Sequence, residues 1–138
     1  MWWVYAILSA IFAALTAIFS KMGVSNVNSN LATGIRSVVI VFMIWAIVLA
    51  RGEAKNIGNL SRHNVIFLAI SGIATGLSWL FYFKALGMAE VSKVAPVDKL
   101  SLALTLIFAV IFLGEEVTFK TAAGAALIIM GTLLLIGK

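Results

Sequence analysis

The sequence contains no cysteine, a single proline, a single histidine and few charged residues. Without cysteine, disulfides, thiol chemistry and thiolate metal sites are excluded. Charged residues make up 11% of the 138 residues, against about 25% in soluble domains. So few charges cannot cover a globular surface, which excludes a soluble enzyme and a disordered tail. The ten Lys and Arg residues are scattered among apolar runs and form no basic face, which excludes a nucleic-acid-binding domain.

Long apolar runs dominate what remains: 63% of the residues are hydrophobic and the mean hydropathy is +1.15. A membrane-spanning helix needs about 20 largely apolar residues. Five runs reach that length, at residues 2–20, 31–50, 65–86, 94–113 and 119–136. None shows the alternation of a membrane β-barrel strand. We therefore predict an all-α membrane protein with five transmembrane helices in one domain, residues 1–138, and with Asn30, Ser92 and Thr118 as helix caps.

Motifs for enzymatic chemistry are missing. His63 lies in a loop, and no phosphate loop or zinc-binding pair of histidines occurs. No hydroxyl has an evident histidine and carboxylate partner for hydrolysis. We expect no enzymatic activity, no cofactor and no bound metal, and no process driven by ATP.

The basic residues are divided almost evenly between the two membrane faces. An odd number of spans puts the termini on opposite sides, and an excess of Lys and Arg normally marks the cytoplasmic side. The N-terminal side carries Arg51, Lys55, Arg62 and Lys120; the other carries Lys21, Lys84, Lys93, Lys99 and Lys138, with Arg36 nearest to it. Either this count misses what sets a single orientation, or copies insert in both directions. Dual insertion would allow an antiparallel homodimer with inverted-repeat architecture.

One set of residues resembles a known family. It consists of Ala85-Leu86, Val94-Ala95-Pro96-Val97, Leu100, Phe112-Leu113-Gly114-Glu115, Gly124 and Gly131. This pattern resembles the EamA domain of the drug/metabolite transporter superfamily over essentially the whole chain. The resemblance implies one half of a ten-helix inverted-repeat bundle, completed by a second copy. It also implies a multi-pass protein of the prokaryotic plasma membrane.

The resemblance implies a function as well: secondary transport of a small metabolite or drug-like solute by alternating access, in an antiparallel homodimer. The alternative is an accessory or scaffold subunit that pairs with another membrane protein without transporting by itself. The chain departs from the family at Asp98-Lys99, where apolar residues usually follow the proline, and at Leu102, where many members have a second proline. It also lacks the first-helix glutamate of the small multidrug transporters.

Polar side chains at membrane depth are costly and are therefore candidate site residues. Helical spacing places Ser71, Thr75, Ser78 and Tyr82 on one face of the third helix, and Asp98, Ser101 and Thr105 on one face of the fourth. The two stripes could line a substrate cavity. Alternatively, each hydroxyl bonds a carbonyl of its own helix.

Lys84 and Asp98 are the best candidates for a gate. They flank the connection between the third and fourth helices, where an ion pair would lower the cost of both charges. The pair could control the cavity or exchange a proton during transport. It could also be purely structural, Lys84 could extend to the interface, or Lys99 could compete for the carboxylate.

Two further groups complete the candidates. Arg36, in the second helix, could contact substrate or reach the headgroups, and Trp79, Tyr82 and Phe83 could bind a flat organic solute or only pack. Pro96 is a candidate hinge because proline weakens a helix. Small residues allow helices to approach closely, which predicts packing or dimer contacts at Gly72, Gly76, Gly124 and Gly131.

Overall fold

The computed structural model describes residues 1–136, and within that range the chain consists of helices and short connections. Six α-helices and one 3₁₀ helix follow one another. The α-helices are α1 (Trp2–Val24), α2 (Ser29–Ala50), α3 (Arg62–Met88), α4 (Val91–Asp98), α5 (Ser101–Leu113) and α6 (Phe119–Ile136); the 3₁₀ helix is Glu53–Asn59.

Five segments within residues 1–136 are long and apolar enough to cross a membrane. Four of them are α1, α2, α3 and α6, and the fifth is Val91–Leu113, which comprises α4 and α5. The predicted fold class, an all-α protein with five transmembrane helices, is confirmed. The helices extend beyond the apolar runs at several ends, because polar residues can continue a helix into the interface.

The helix caps agree only in part with the sequence. The prediction for Asn30 was wrong, because α2 begins at Ser29 and the side chain of Asn28 accepts hydrogen bonds from the Asn30 and Leu31 amides. The prediction for Ser92 was wrong too, since α4 begins after Glu90, which makes no side-chain capping bond. Thr118 is confirmed: its hydroxyl oxygen accepts a hydrogen bond from the Thr121 amide at 3.2 Å.

The connection between α2 and α3 is more ordered than a plain loop. Gly52 adopts φ = 66°, a conformation that glycine tolerates best, and this residue leads into the 3₁₀ helix. Arg51 and Glu53 form an exposed ion pair at 2.9 Å, which contributes little to stability in water. A glycine in the same conformation, Gly114, ends α5.

Contacts divide the chain into two compact units. The first, Phe19–Gly87, contains the end of α1 with α2 and α3 and is called here the Arg36 unit. The second, called the Pro96 unit, contains Met1–Ile18 and the chain from Met88 onward. In the Pro96 unit α6 packs against both α4 and α5.

Most large apolar side chains are exposed, as the surface of a lipid-embedded protein requires. The buried residues are few and include Val24, Phe83 and Leu86 in the Arg36 unit, and Val94 and Thr132 in the Pro96 unit. Polar groups occur among them because hydrogen bonds and close packing, rather than the hydrophobic effect, hold helices together in lipid.

Candidate functional site

The Arg36 unit holds a charged side chain inside a transmembrane helix. Arg36 lies seven residues after the start of α2 at Ser29, about 10.5 Å along the helix axis at about 1.5 Å per residue. The side chain is half-buried. Its guanidinium carbon lies 4.3 Å from the centre of the Trp79 ring and 5.5 Å from that of Phe83.

The two rings share one face of α3 because their positions are four residues apart. Phe83 is buried and Trp79 half-buried, while the Tyr82 ring meets Phe83 edge-on at 6.5 Å. A cation over aromatic faces is attracted by their quadrupoles, most strongly where water is excluded. The structure therefore joins two predicted candidates, Arg36 and the aromatic cluster, into one site.

A second cation of this unit stabilises the end of α3. The Lys21 ammonium, in the last turn of α1, donates a hydrogen bond of 2.6 Å to the carbonyl oxygen of Leu86. The last carbonyls of a helix lack amide partners and carry negative partial charge, so a cation there is favourable. Leu86 itself is completely buried. An open cleft of about 620 Å³ lies beside this contact, lined by the end of α1, the turn after it, and Leu86 and Gly87.

The Pro96 unit contains an interruption in the fourth span. Pro96 has no amide hydrogen, and α4 ends two residues later at Asp98. The Leu100 amide donates a hydrogen bond to the Val97 carbonyl, and the Lys99 amide donates to the carbonyls of both Ala95 and Pro96. Bonds to the third residue back make this turn tighter than an α-helix. The span predicted at 94–113 thus consists of two α-helices joined by a turn at Lys99 and Leu100. Whether the interruption acts as a hinge stays a prediction.

Thr132 of α6 contacts this interruption. Its hydroxyl lies 3.3 Å from the carbonyl oxygen of Pro96 and 2.8 Å from that of Ile128 in its own helix. A hydroxyl has one proton, so these two acceptors share it. The side chain is only 4% exposed, which makes the contact a buried link between α6 and the end of α4.

The predicted gate residues lie in different units. Asp98, at the end of α4, is half-buried, and its carboxylate lies 3.5 Å from the Lys99 ammonium. This is the competing contact considered from the sequence. Lys84 is exposed on α3. Pairing of Lys84 with Asp98 stays a prediction.

Comparison with known proteins decides the family. The model of the EamA-like transporter family matches residues 1–137. This chain belongs to the EamA-like transporter family. A relative from Sinorhizobium sp., named "Uncharacterized transporter in cobO 3'region", is 49% identical over 134 residues, covering 97% of this chain and 95% of the relative. No solved structure matches.

Membership confirms the resemblance and makes the protein a membrane transporter of the multi-pass, integral type. It also places the apolar helix surfaces in contact with lipid. Within residues 1–136, no group of three or more His, Cys, Asp or Glu residues is arranged to hold a metal ion.

The hydroxyl stripes of this EamA chain are bonded within their own helices at two positions. Thr75 donates to the Ser71 carbonyl at 2.9 Å and Thr105 to the Ser101 carbonyl at 2.8 Å. Both are exposed, as are Ser78 and Ser101. This bonding is the alternative considered from the sequence, and lining of a cavity by these residues stays a prediction.

The glycines of the predicted packing faces all have open space where a Cβ would stand. Gly124, Gly131 and Gly76 are half-buried, whereas Gly72 is exposed. Gly131 precedes Thr132, on the helix that packs against α4 and α5. Their role in dimer contacts stays a prediction.

Sequence reasoning missed Thr132 and gave Lys21 no role. Thr132 stands between Gly131 and Leu133 in an apolar helix, and an inspection of every span for single polar residues would have found it. Lys21 was counted only among the basic residues of one membrane face. Its acceptor, Leu86, is 65 positions away, and no local pattern indicates such a contact.

Replacing Thr132 by Val is expected to lower the free energy of unfolding by about 1 kcal/mol, within the range measured for hydrogen bonds between membrane helices. Valine keeps the shape but removes the donor to Pro96. Thr105→Val is the matched control, because the Thr105 hydroxyl bonds a carbonyl of its own helix and is exposed. Unfolding in mixed micelles with rising SDS fraction measures both; equal losses would contradict a special role for Thr132.

Proposed function

We propose that this EamA protein is the subunit of a secondary transporter that moves a small metabolite or drug-like solute by alternating access. Two copies in antiparallel orientation would supply the two five-helix halves that the family combines, in the prokaryotic plasma membrane. The observation that carries the proposal is the half-buried Arg36 that lies over two aromatic rings inside a span. A cation at membrane depth is costly, and such residues mark solute pathways in transporters.

Counterflow tests transport directly. Purified protein is reconstituted into liposomes preloaded with unlabelled solute, and uptake of a labelled metabolite or cationic drug from a broad panel is followed. We expect transient accumulation of at least one solute without ATP. If no member of the panel accumulates, the proposal fails and the accessory or scaffold role, with glycine faces as its contact surface, is favoured.

Orientation tests the antiparallel dimer, and the absence of native cysteine makes the experiment simple. Single variants Ser25→Cys, in the turn before α2, and Asn56→Cys, in the connection after it, place one thiol at each end of that span. A membrane-impermeant maleimide added to intact cells should label about half of the copies at each position if insertion is dual. Labelling of nearly all copies at one position and none at the other would contradict the antiparallel arrangement.

Asp98→Asn and Lys84→Met are each expected to reduce the counterflow rate about tenfold if these charges take part in gating, equivalent to about 1.4 kcal/mol in the rate-limiting barrier. Lys93→Met is the matched control, because Lys93 is exposed and lies 3.9 Å from Glu90 at the start of α4. If Asp98→Asn and Lys84→Met both fold normally and leave the counterflow rate unchanged, these charges take no part in gating and have only a structural role.

A further inference from the structure

We propose that the Arg36 guanidinium is a binding site for an oxyanion, a carboxylate or a phosphate monoester, and that the transported solutes are small organic anions. The inference rests on the proposed transport function, whose solute it narrows to one charge class.

The charge of Arg36 has no anionic partner within residues 1–136. The ion pairs there join Arg51 to Glu53, Lys93 to Glu90 and Lys99 to Asp98. Each lies outside the transmembrane part of α2, and each has at least one side chain that is more than half exposed. Arg36 is the cation that aromatic rings hold inside a span in this part of the chain, and no carboxylate is paired with it.

Within residues 1–136 the Arg36 side chain makes no hydrogen bond either. A guanidinium has five N–H donors and no acceptor. Its guanidinium carbon faces the rings of Trp79 and Phe83, which offer no lone pair, and Tyr82 interacts with its charge electrostatically without supplying a carboxylate. A ring face attracts the charge and leaves the donors free. Donors in this fork geometry match the two oxygens of a carboxylate or phosphate.

The rings also hold the side chain in place. Trp79 and Phe83 lie nine and five residues before the end of α3 at Met88, about 13.5 and 7.5 Å along its axis at about 1.5 Å per residue. The guanidinium is held beside them rather than extended freely toward water. An oxyanion that reaches this depth would gain a charge-assisted pair in a medium of low dielectric constant, where such a pair is strong.

Two sources can supply the oxyanion: a dissolved solute or the phosphate of a lipid headgroup. The experiment uses protein purified in an alkyl maltoside, which contains no phosphate. The soluble probes are benzoate, succinate and glycerol 3-phosphate, each beside its uncharged analogue: benzamide, succinamide and glycerol. A short-chain phosphatidylglycerol is the lipid probe, and thermal unfolding during titration gives the apparent affinity.

We expect at least one soluble oxyanion to raise the unfolding temperature while its uncharged analogue does not. Arg36→Gln should weaken that affinity at least tenfold, and Arg36→Lys, which keeps the charge without the fork, should weaken it less. Arg62→Gln, at the exposed start of α3, is the matched control and should leave the affinity unchanged. Binding of none of the probes, or equal binding to wild type and Arg36→Gln, would overturn the inference.

If only phosphatidylglycerol binds and does so through Arg36, the site recognises a lipid headgroup and the assignment of the solute class is overturned. Counterflow separates this inference from the proposed function. Oxyanion binding through Arg36 without counterflow would leave the site standing and contradict transport. Counterflow of uncharged solutes alone, unchanged by Arg36→Gln, would leave transport standing and overturn the inference.

Discussion

Replacing Lys21 by Met is expected to lower the free energy of unfolding by about 2 kcal/mol, because a hydrogen bond to a charged group contributes about 1.5–3 kcal/mol. The variant keeps an apolar stem of similar length but loses the ammonium that donates to the Leu86 carbonyl at 2.6 Å. That carbonyl lies in the last turn of α3 and would lose the partner that α1 supplies. SDS-induced unfolding in mixed micelles measures the loss.

Lys55→Met is the matched control, because Lys55 is exposed in the 3₁₀ helix between α2 and α3. The control should change the free energy of unfolding by less than about 0.5 kcal/mol, as is usual for surface positions. Arginine at position 21 should restore part of the stability, since it also donates from a charged group. A loss in Lys21→Met no larger than that of the control would show that the α1–α3 contact contributes nothing to stability.

The fold could be predicted from the sequence because spans in a bilayer are set by length and hydropathy. All five spans were found, since lipid tolerates few exceptions to an apolar run of about 20 residues. Their ends were less predictable: α3 begins at Arg62, three residues before its apolar run, because polar residues at the interface remain compatible with a helix. Asn28 rather than Asn30 caps α2, because the helix begins at Ser29 and the Asn28 side chain accepts from the amides of Asn30 and Leu31 in its first turn.

The interruption of the fourth span shows a different limit. Proline marks the weak region from the sequence, because its missing amide hydrogen and its ring disturb the preceding turn. The helix ends after Asp98 instead, where the Leu100 amide bonds to Val97 rather than to Pro96. The Pro96 carbonyl accepts from Lys99 and from Thr132 of another helix. A contact between helices thus accompanies the local geometry, and spacing along the sequence does not reveal it.

The candidate site could be predicted as components but not as an assembly. Arg36 and the aromatic residues 79, 82 and 83 were identified separately, and the nearest cation along the sequence to those rings is Lys84. The structure places Arg36 over Trp79 and Phe83 instead. Helical spacing identifies which residues share a face, whereas the partner of that face depends on how α2 and α3 pack.

Replacing Trp79 by Leu is expected to lower the free energy of unfolding by about 2 kcal/mol, the value for a cation–π contact from which water is excluded. Leucine keeps an apolar contact but removes the quadrupole under the Arg36 guanidinium, which lies 4.3 Å from the ring centre. The Phe83 ring, at 5.5 Å, would remain as the weaker support. The same SDS titration measures the loss of stability.

Trp45→Leu is the matched control, because Trp45 lies on α2 and is 48% exposed. It removes the same side chain from a transmembrane helix without touching the charge, so we expect a loss of less than about 0.5 kcal/mol. Phenylalanine at position 79 keeps a ring face and should retain part of the stability. Equal losses in Trp79→Leu and Trp45→Leu would show that the ring supports α3 by bulk alone.

Trp79→Leu should also weaken oxyanion binding, although Trp79 is a positioning residue that acts through Arg36. Without the ring, the guanidinium can move toward the headgroups, as long cationic side chains do near the ends of spans. We expect the affinity for the probe that binds wild type to fall about tenfold in Trp79→Leu and to return largely in Trp79→Phe. The recovery is expected because the ring face, rather than the side-chain volume, holds the charge at its depth. If Trp79 acted through its bulk alone, Trp79→Leu and Trp79→Phe would both lower stability and Trp79→Phe would not restore the affinity.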